Sequence, residues 1–156
     1  MLTEEKIFEL FTQSIHCSQL VAGEMAEKLG YTREQTMRLA APFGGGMFCG
    51  ETCGAVAGGV MAIGMKYGHC KPGDVEQNEL CIKKTAQFLE KFKARYGATR
   101  CRDLLGYDLS EEGALEKAFA AGRIKEVCPG FVLGSLELLG EIIADRVDIK
   151  PATINQ

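Results

Sequence analysis

The sequence predicts an all-α fold, a compact single-domain helical bundle built around a buried glycine-rich helix. Apolar residues recur every three or four positions through most of the chain, as they do along one face of a helix. Residues that favour helix starts and helix ends separate these segments. No segment shows the clear apolar and polar alternation that marks a half-buried strand.

Length and composition indicate one globular domain. The chain has 156 residues, of which 46% are hydrophobic and 25% are charged. This balance excludes a disordered or fibrous chain. The net charge is −3 and no basic run occurs, so we expect no nucleic-acid partner. We expect a cysteine-containing helical domain over 1–149 and a flexible tail over 150–156.

Neither a secretory signal nor a membrane span is predicted. Glu4 and Glu5 stand where a signal peptide would carry positive charge, so we expect a cytoplasmic protein. The long uncharged stretch from Ala40 to Met65 is interrupted by Glu51 and by glycines. Its strongly apolar part falls short of the ~18 residues that a span needs.

The first half of the chain predicts three helices. Thr3 precedes two glutamates and an apolar pattern that continues to Leu29, which predicts one long helix. A second helix follows Thr32 and ends at Pro42. The third is the glycine-rich helix, in which one row of small residues allows another helix to approach closely. This row, which could pack internally or against a second copy in a homodimer, consists of Gly50, Gly54, Gly58 and Ala62.

The second half predicts four more helices. Asp74 begins an amphipathic helix that runs to Gly97. A short turn of helix begins at Cys101, and another helix runs from Ser110 to Gly122. The last helix begins near Cys128, because Pro129 suits the first turn of a helix.

Seven cysteines are the main indication of chemistry. In a reducing cytosol they would seldom be permanent disulfides, so metal, cluster or redox roles are the natural hypotheses. Three are expected where a thiolate is favoured: Cys53 and Cys128 at helix N-termini, and Cys101 between two arginines. Packing as small apolar residues is the alternative.

The other four cysteines carry weaker signals. Cys49 lies four residues before Cys53, so on a helix both sulfurs would share a face and reach one metal or each other. Cys17, in the middle of the predicted first helix, is by itself a core residue. Cys70 in a turn and Cys81 on a helix face are most simply structural. The glycine turn lacks the features of a nucleotide site, and no hydrolase arrangement is evident.

Four of these segments together resemble a known family. Cys17 in HCSQ, Cys53 in CGAVAG, Cys101 in CRDLLG and the late Cys128 resemble the C-GCAxxG-C-C family of redox-active proteins. The resemblance covers nearly the whole chain. It implies a small bacterial or archaeal redox-active protein whose four family cysteines are Cys17, Cys53, Cys101 and Cys128.

Several functions remain open at this point. The four thiolates could bind an iron-sulfur cluster or exchange electrons as thiols, in an oxidoreductase or electron carrier. Cys49 could substitute for one of them. A redox partner protein or a small electron donor would then be required. A structural zinc site with the same ligands is an alternative, and so is a helical interaction module whose cysteines only pack.

Overall fold

The computed structural model describes residues 1–144, and this part of the chain is all-α, as predicted. Its eight helices are connected by turns, and it contains no strand, only an isolated bridge between Thr52 and Arg100. The predicted tail lies outside the described residues. In chain order the helices are α1 Glu4–Thr12, α2 Cys17–Ala26, α3 Arg33–Ala40, α4 Gly54–Tyr67, α5 Val75–Tyr96, α6 Cys101–Leu105, α7 Ala114–Ala120 and α8 Arg123–Ala144.

Two hydrophobic clusters hold the helices together. The larger cluster, which we call the main core, joins α2, α4, α5 and α8. Its largest fully buried side chains include Leu20, Ile63, Phe88, Phe92 and Leu139. The smaller cluster, the minor core, is built on Leu105, Ala118 and Ile124 from α6, α7 and α8. Burial of these apolar side chains is the main stabilising contribution to the fold.

The prediction of one long first helix is wrong, because the chain breaks between α1 and α2. Ser14 adopts a left-handed backbone conformation with φ of 64°, which a continuous right-handed helix cannot include. The backbone N–H of His16 then donates to the side chain of Gln19 at 2.9 Å. This bond satisfies a donor at the start of α2, so the new helix begins at Cys17.

The glycine row packs inside the molecule. A Cβ atom at Gly58 would lie 2.7 Å from the carbonyl oxygen of Ser18, and one at Gly54 would lie 3.2 Å from the backbone nitrogen of Ser18. The row therefore contacts α2, which approaches α4 closely because these side chains are absent. Gly50 is not part of this helix, since it precedes α4 with φ of 75°.

Two predicted helix starts are also wrong. The carboxylate of Asp108 accepts hydrogen bonds from the backbone N–H and the hydroxyl of Ser110. This local turn keeps Ser110 outside a helix, and α7 begins at Ala114. The last helix begins at Arg123 rather than near Cys128, so Pro129 lies inside it.

Among the described residues, α8 is the one helix long and apolar enough to cross a membrane by length and composition. Its apolar residues are used in the fold. Val132, Leu138, Leu139 and Ile142 are buried in the main core, and α8 packs against α1, α2, α4 and α5. This packing is that of a core helix, which is compatible with the absence of a span.

Candidate functional site: a cavity lined by four cysteines

One cavity of about 540 Å³ contains side chains from four separate parts of the sequence. Cys17, Cys53, Cys101 and Cys128 all line it. It lies between the two hydrophobic clusters, since Cys17 and Cys53 belong to the main core whereas Cys101 and Cys128 pack against the minor core. The fold thus brings together four thiols that are far apart in the sequence.

Cys17 is the first residue of α2, not a residue in the middle of a helix. The helix break at Ser14 places it there. The next residue, Ser18, donates a hydrogen bond of 2.7 Å to the carbonyl of Ala40, which fixes α2 against the end of α3. Because Gly54 has no side chain, α4 lies close to Cys17, and a Cβ atom at Gly54 would be 3.2 Å from the Cys17 Cβ.

Backbone hydrogen bonds link the segment that contains Cys53 to the segment that contains Cys101. The N–H of Cys53 donates to the carbonyl of Thr99 at 2.8 Å, and the N–H of Cys101 donates to the carbonyl of Glu51 at 2.6 Å. Cys53 is the N-cap residue of α4, and Cys101 is the first residue of α6. This short antiparallel pairing sets the positions of both thiols.

The side chain of Arg102 reinforces this pairing. Its guanidinium donates to the carbonyls of Cys49 and Gly50 at 3.0 and 3.1 Å. It also forms ion pairs with Glu51 at 2.8 Å and Asp108 at 3.6 Å. One side chain therefore ties the segment before α4 to α6 and to the turn after it.

The prediction that Cys49 and Cys53 share a helix face is wrong. Met47 and Phe48 adopt left-handed backbone conformations with φ of 56° and 57°, so the chain before α4 is a tight turn. The Cys49 thiol lies beside the carbonyl of Gly46 at 3.4 Å. Cys49 is not among the residues that line the cavity, so the geometry offers no support for it as a substitute ligand.

Cys128 lies in the second turn of α8 rather than at the helix entrance. Its thiol is within hydrogen-bonding reach of Cys17, which donates to it. Position on α8, rather than free backbone donors, brings Cys128 to the site.

The surroundings of Cys17, Cys53 and Cys101 favour protonated thiols, contrary to the thiolates expected at Cys53 and Cys101. The hydrogen bond to Cys128, followed by burial, raises the pKa of Cys17 well above its ordinary value. Burial, followed by the repulsion that a Cys17 thiolate would exert, raises the pKa of Cys53 to about 12. Backbone N–H groups at the start of α4 act in the opposite direction but are outweighed.

The pKa of Cys101 is also raised, although two arginines flank this residue in the sequence. Burial and the nearby Cys53 and Cys17 raise its pKa to about 12, although Arg102 acts to lower it. The guanidinium of Arg102 is already paired with Glu51 and Asp108. Burial among other thiols therefore outweighs the positive charge that the sequence places next to this cysteine.

The remaining cavity surface is uncharged. No Asp, Glu, Lys or Arg side chain is among its lining residues. His16, whose pKa is lowered by burial, packs edge-on against Phe48 with ring centroids 5.1 Å apart. Most other lining residues are apolar: Phe11, Phe48, Leu104, Leu105, Leu109, Leu115, Phe119, Ile124 and Phe131.

Sequence reasoning missed several residues that shape the site. Arg102 was considered only as a charge beside Cys101, not as the side chain that holds the neighbouring turn. His16, which no motif singled out, also lines the cavity. The pattern His-x-x-Gln at positions 16–19 resembles a capping box and was the available signal for the helix start beside Cys17.

The cavity offers four thiols as possible metal ligands. Four thiols are the complete ligand set of a two-iron or four-iron cluster. No group of three or more His, Cys, Asp and Glu residues between 1 and 144 is arranged to hold one metal ion.

The fold and the cavity define a small all-α protein in which four cysteines share one apolar site. The chain belongs to the family described as "Putative redox-active protein (C_GCAxxG_C_C)", whose model matches residues 15–142. This range includes all four cavity cysteines. No curated protein and no solved structure matches the chain.

Proposed function

We propose that this protein is an electron carrier or oxidoreductase in which Cys17, Cys53, Cys101 and Cys128 bind an iron-sulfur cluster. The observation that carries the proposal is that these four thiols, from four segments, line one cavity. Membership of a family described as redox-active supports the same class of function. When bound, such a cluster accepts and donates single electrons.

Metal binding would have to overcome the raised pKa values of Cys17, Cys53 and Cys101. Burial and mutual repulsion oppose more than one thiolate in the metal-free cavity. Iron ions would reverse this balance, because coordination to a metal deprotonates a thiol. The backbone N–H groups of Ala55 and Val56, which act to lower the pKa of Cys53, would further stabilise negative charge on that sulfur.

A structural zinc site with the same four ligands is the alternative. Tetrahedral zinc requires four ligands at about 2.3 Å from one ion. The described residues contain no group of three ligands arranged in this way. Binding of zinc, like binding of a cluster, would therefore require the four thiols to change their positions.

Anaerobic purification of the full chain, followed by visible absorption and metal analysis, tests the proposal. We expect a brown protein containing iron and acid-labile sulfide. A colourless protein with one zinc per chain would contradict the proposal and support a structural site. A colourless protein that stays metal-free after anaerobic incubation with iron and sulfide would also contradict it.

The contact between Cys17 and Cys128 supports a second candidate, thiol-disulfide exchange. An external disulfide would oxidise the pair: a sulfur-sulfur bond forms between Cys17 and Cys128, and the reagent leaves as two thiols that carry the two protons. The hydrogen bond between the two side chains makes them neighbours, and formation of the disulfide requires the two sulfurs to approach to about 2.05 Å. The raised pKa of Cys17 predicts a slow reaction, because the thiolate is the attacking species.

Oxidation of metal-free protein with glutathione disulfide, followed by peptide mapping, tests this second candidate. We expect a Cys17–Cys128 disulfide that is absent from Cys128→Ser. Cys81→Ser is the matched control, because Cys81 does not line the cavity. A mixture of disulfides that involves Cys70 or Cys81 as often as Cys17 would contradict it.

A further inference from the structure

The four thiols account for only part of the cavity surface. Six apolar side chains from one continuous segment form another part, which we call the apolar wall. They belong to α6, α7, the turn between these helices and the start of α8. The wall consists of Leu104, Leu105, Leu109, Leu115, Phe119 and Ile124.

The apolar wall extends to the protein surface. Leu115 and Phe119, both on α7, line the cavity although their exposed fractions are 45% and 36%. Phe48, with 55% exposed, also lines it. Large apolar side chains that are both exposed and grouped around an opening are typical of ligand-binding sites.

The backbone at this opening is strained. Phe48 has φ of 57° and Ser14 has φ of 64°, and both residues line the cavity. Side chains other than glycine seldom adopt this conformation, and such strain is concentrated at functional sites. Arg102 holds the turn that contains Phe48 through the carbonyls of Cys49 and Gly50.

The lining restricts the chemistry of a ligand. A charged molecule would lose its hydration without gaining a charged partner, because the lining has no Asp, Glu, Lys or Arg. Thr12, Ser14 and His16 provide the few polar side chains besides the thiols. The volume of about 540 Å³ lies within the range of roughly 300–1,000 Å³ for small-molecule sites.

We propose that the cavity binds an uncharged, mainly apolar small molecule, which lies against the apolar wall beside the four sulfur atoms. This proposal rests on the shape and chemistry of the cavity. It holds whether the thiols bind a cluster or exchange electrons. The ligand enters past Phe48, Leu115 and Phe119, and Ser14 or His16 provides its hydrogen-bonding partner.

Binding of N-phenyl-1-naphthylamine, an uncharged fluorescent probe, tests the proposal on the full chain. We expect saturable binding of one probe per chain, with increased fluorescence. Leu115→Asp and Phe119→Asp place a carboxylate on the wall and should each weaken binding by about tenfold or more. Both side chains are partly exposed, so these variants are expected to fold, and thermal melts check this.

Leu39→Asp is the matched control, because Leu39 is an apolar residue with 68% exposed that does not line the cavity. We expect it to bind the probe as the unaltered protein does. Absence of saturable binding, or equal weakening in Leu39→Asp, would overturn the proposal. So would unchanged binding in both wall variants.

Iron and sulfide content, measured on the same samples, separates this proposal from that of the cluster. We expect Leu115→Asp to keep its iron while losing the probe. Probe binding in a protein that cannot be loaded with iron would support the ligand site and contradict the cluster. Binding that disappears when iron is loaded would overturn the placement of the ligand beside the sulfur atoms.

Discussion

At the scale of single residues, the side chain of Cys53 experiences two opposing effects. It is the N-cap residue of α4, where backbone N–H groups favour negative charge. It is also buried against Cys17, and burial raises its pKa to about 12. The sequence predicted the first effect from the position of the helix. It could not predict the second, which depends on residues 36 positions away.

The raised pKa values predict how stability depends on pH. Because the folded protein holds the Cys53 and Cys101 protons more tightly than a thiol with the ordinary value of 9.0, the unfolded chain loses its protons first. The free energy of unfolding of the metal-free, reduced protein should therefore decrease as pH rises from about 9 towards 12. Urea titrations at several pH values measure this.

Cys53→Ala should make this decrease shallower, because one of the buried thiols is removed. Cys70→Ala is the control, since Cys70 is exposed. An unfolding free energy that stays constant over this pH range, or an equal effect of both variants, would show that the Cys53 thiol is not held in its neutral form by the fold.

Arg102 is the residue whose contacts reach furthest across the site. Arg102→Ala removes donors from two backbone carbonyls and breaks an ion pair with Glu51. Leaving such groups unpaired typically costs about 1–3 kcal/mol. We expect that loss of stability in a denaturant titration, with faster alkylation of Cys53 as the turn before α4 loosens.

Arg100→Ala provides the comparison for Arg102. Arg100 also pairs with Glu51, but at 3.4 Å and with a more exposed side chain. An exposed pair of this kind contributes roughly 0–1 kcal/mol, and we expect no change in Cys53 alkylation. If the two arginine variants behaved alike, Arg102 would have no special role in positioning Cys53.

At the scale of elements, the contact between α2 and α4 determines whether the cysteines can meet. A Cβ atom at Gly58 would lie 2.7 Å from the Ser18 carbonyl and 3.0 Å from the Val21 Cβ. At Gly64, in the same helix, no atom outside the local backbone lies within 4 Å of such a Cβ. The same substitution therefore has opposite consequences at two positions of α4.

Gly58→Ala should destabilise the protein by about 1–3 kcal/mol through overpacking. Gly64→Ala should stabilise it by roughly 0.5–1 kcal/mol, because alanine favours a helix more than glycine does. Thermal melts of the two variants measure the difference. Stabilisation by both substitutions would place the glycine row away from any close helix contact.

The elements show where sequence periodicity succeeds and where it fails. It predicted most of α4 from its pattern of small and apolar residues, and it predicted α5 well because Asp74 and Gly97 mark its two ends. It joined α1 to α2, because apolar spacing continues across Ser14 while the backbone reverses its handedness there. It placed Cys128 at a helix start because Pro129 was assigned to the first turn, although α8 tolerates this proline in its interior.

At the scale of the whole molecule, the site forms where the main core and the minor core meet. The main core holds the segments of Cys17 and Cys53, and the minor core packs against those of Cys101 and Cys128. Sequence spacing carries no information on this arrangement. The family resemblance selected the four cysteines, while the packing of α2, α4, α6 and α8 explains how they come to share a cavity.

The iron content of single cysteine variants tests whether these four cysteines bind one cluster. Wild-type protein and each of Cys17→Ser, Cys53→Ser, Cys101→Ser and Cys128→Ser would be loaded anaerobically with iron and sulfide. Cys70→Ser, Cys81→Ser and Cys49→Ser serve as controls outside the cavity. Iron, sulfide and visible absorption per folded chain are then compared.

We expect each of the four cavity variants to lose at least half of the bound iron and of the visible absorption, because each thiol is one of four ligands. The three control variants should match the wild type. Undiminished iron in any cavity variant, or a loss in Cys49→Ser as large as that in Cys53→Ser, would contradict the assignment of these four cysteines to one cluster.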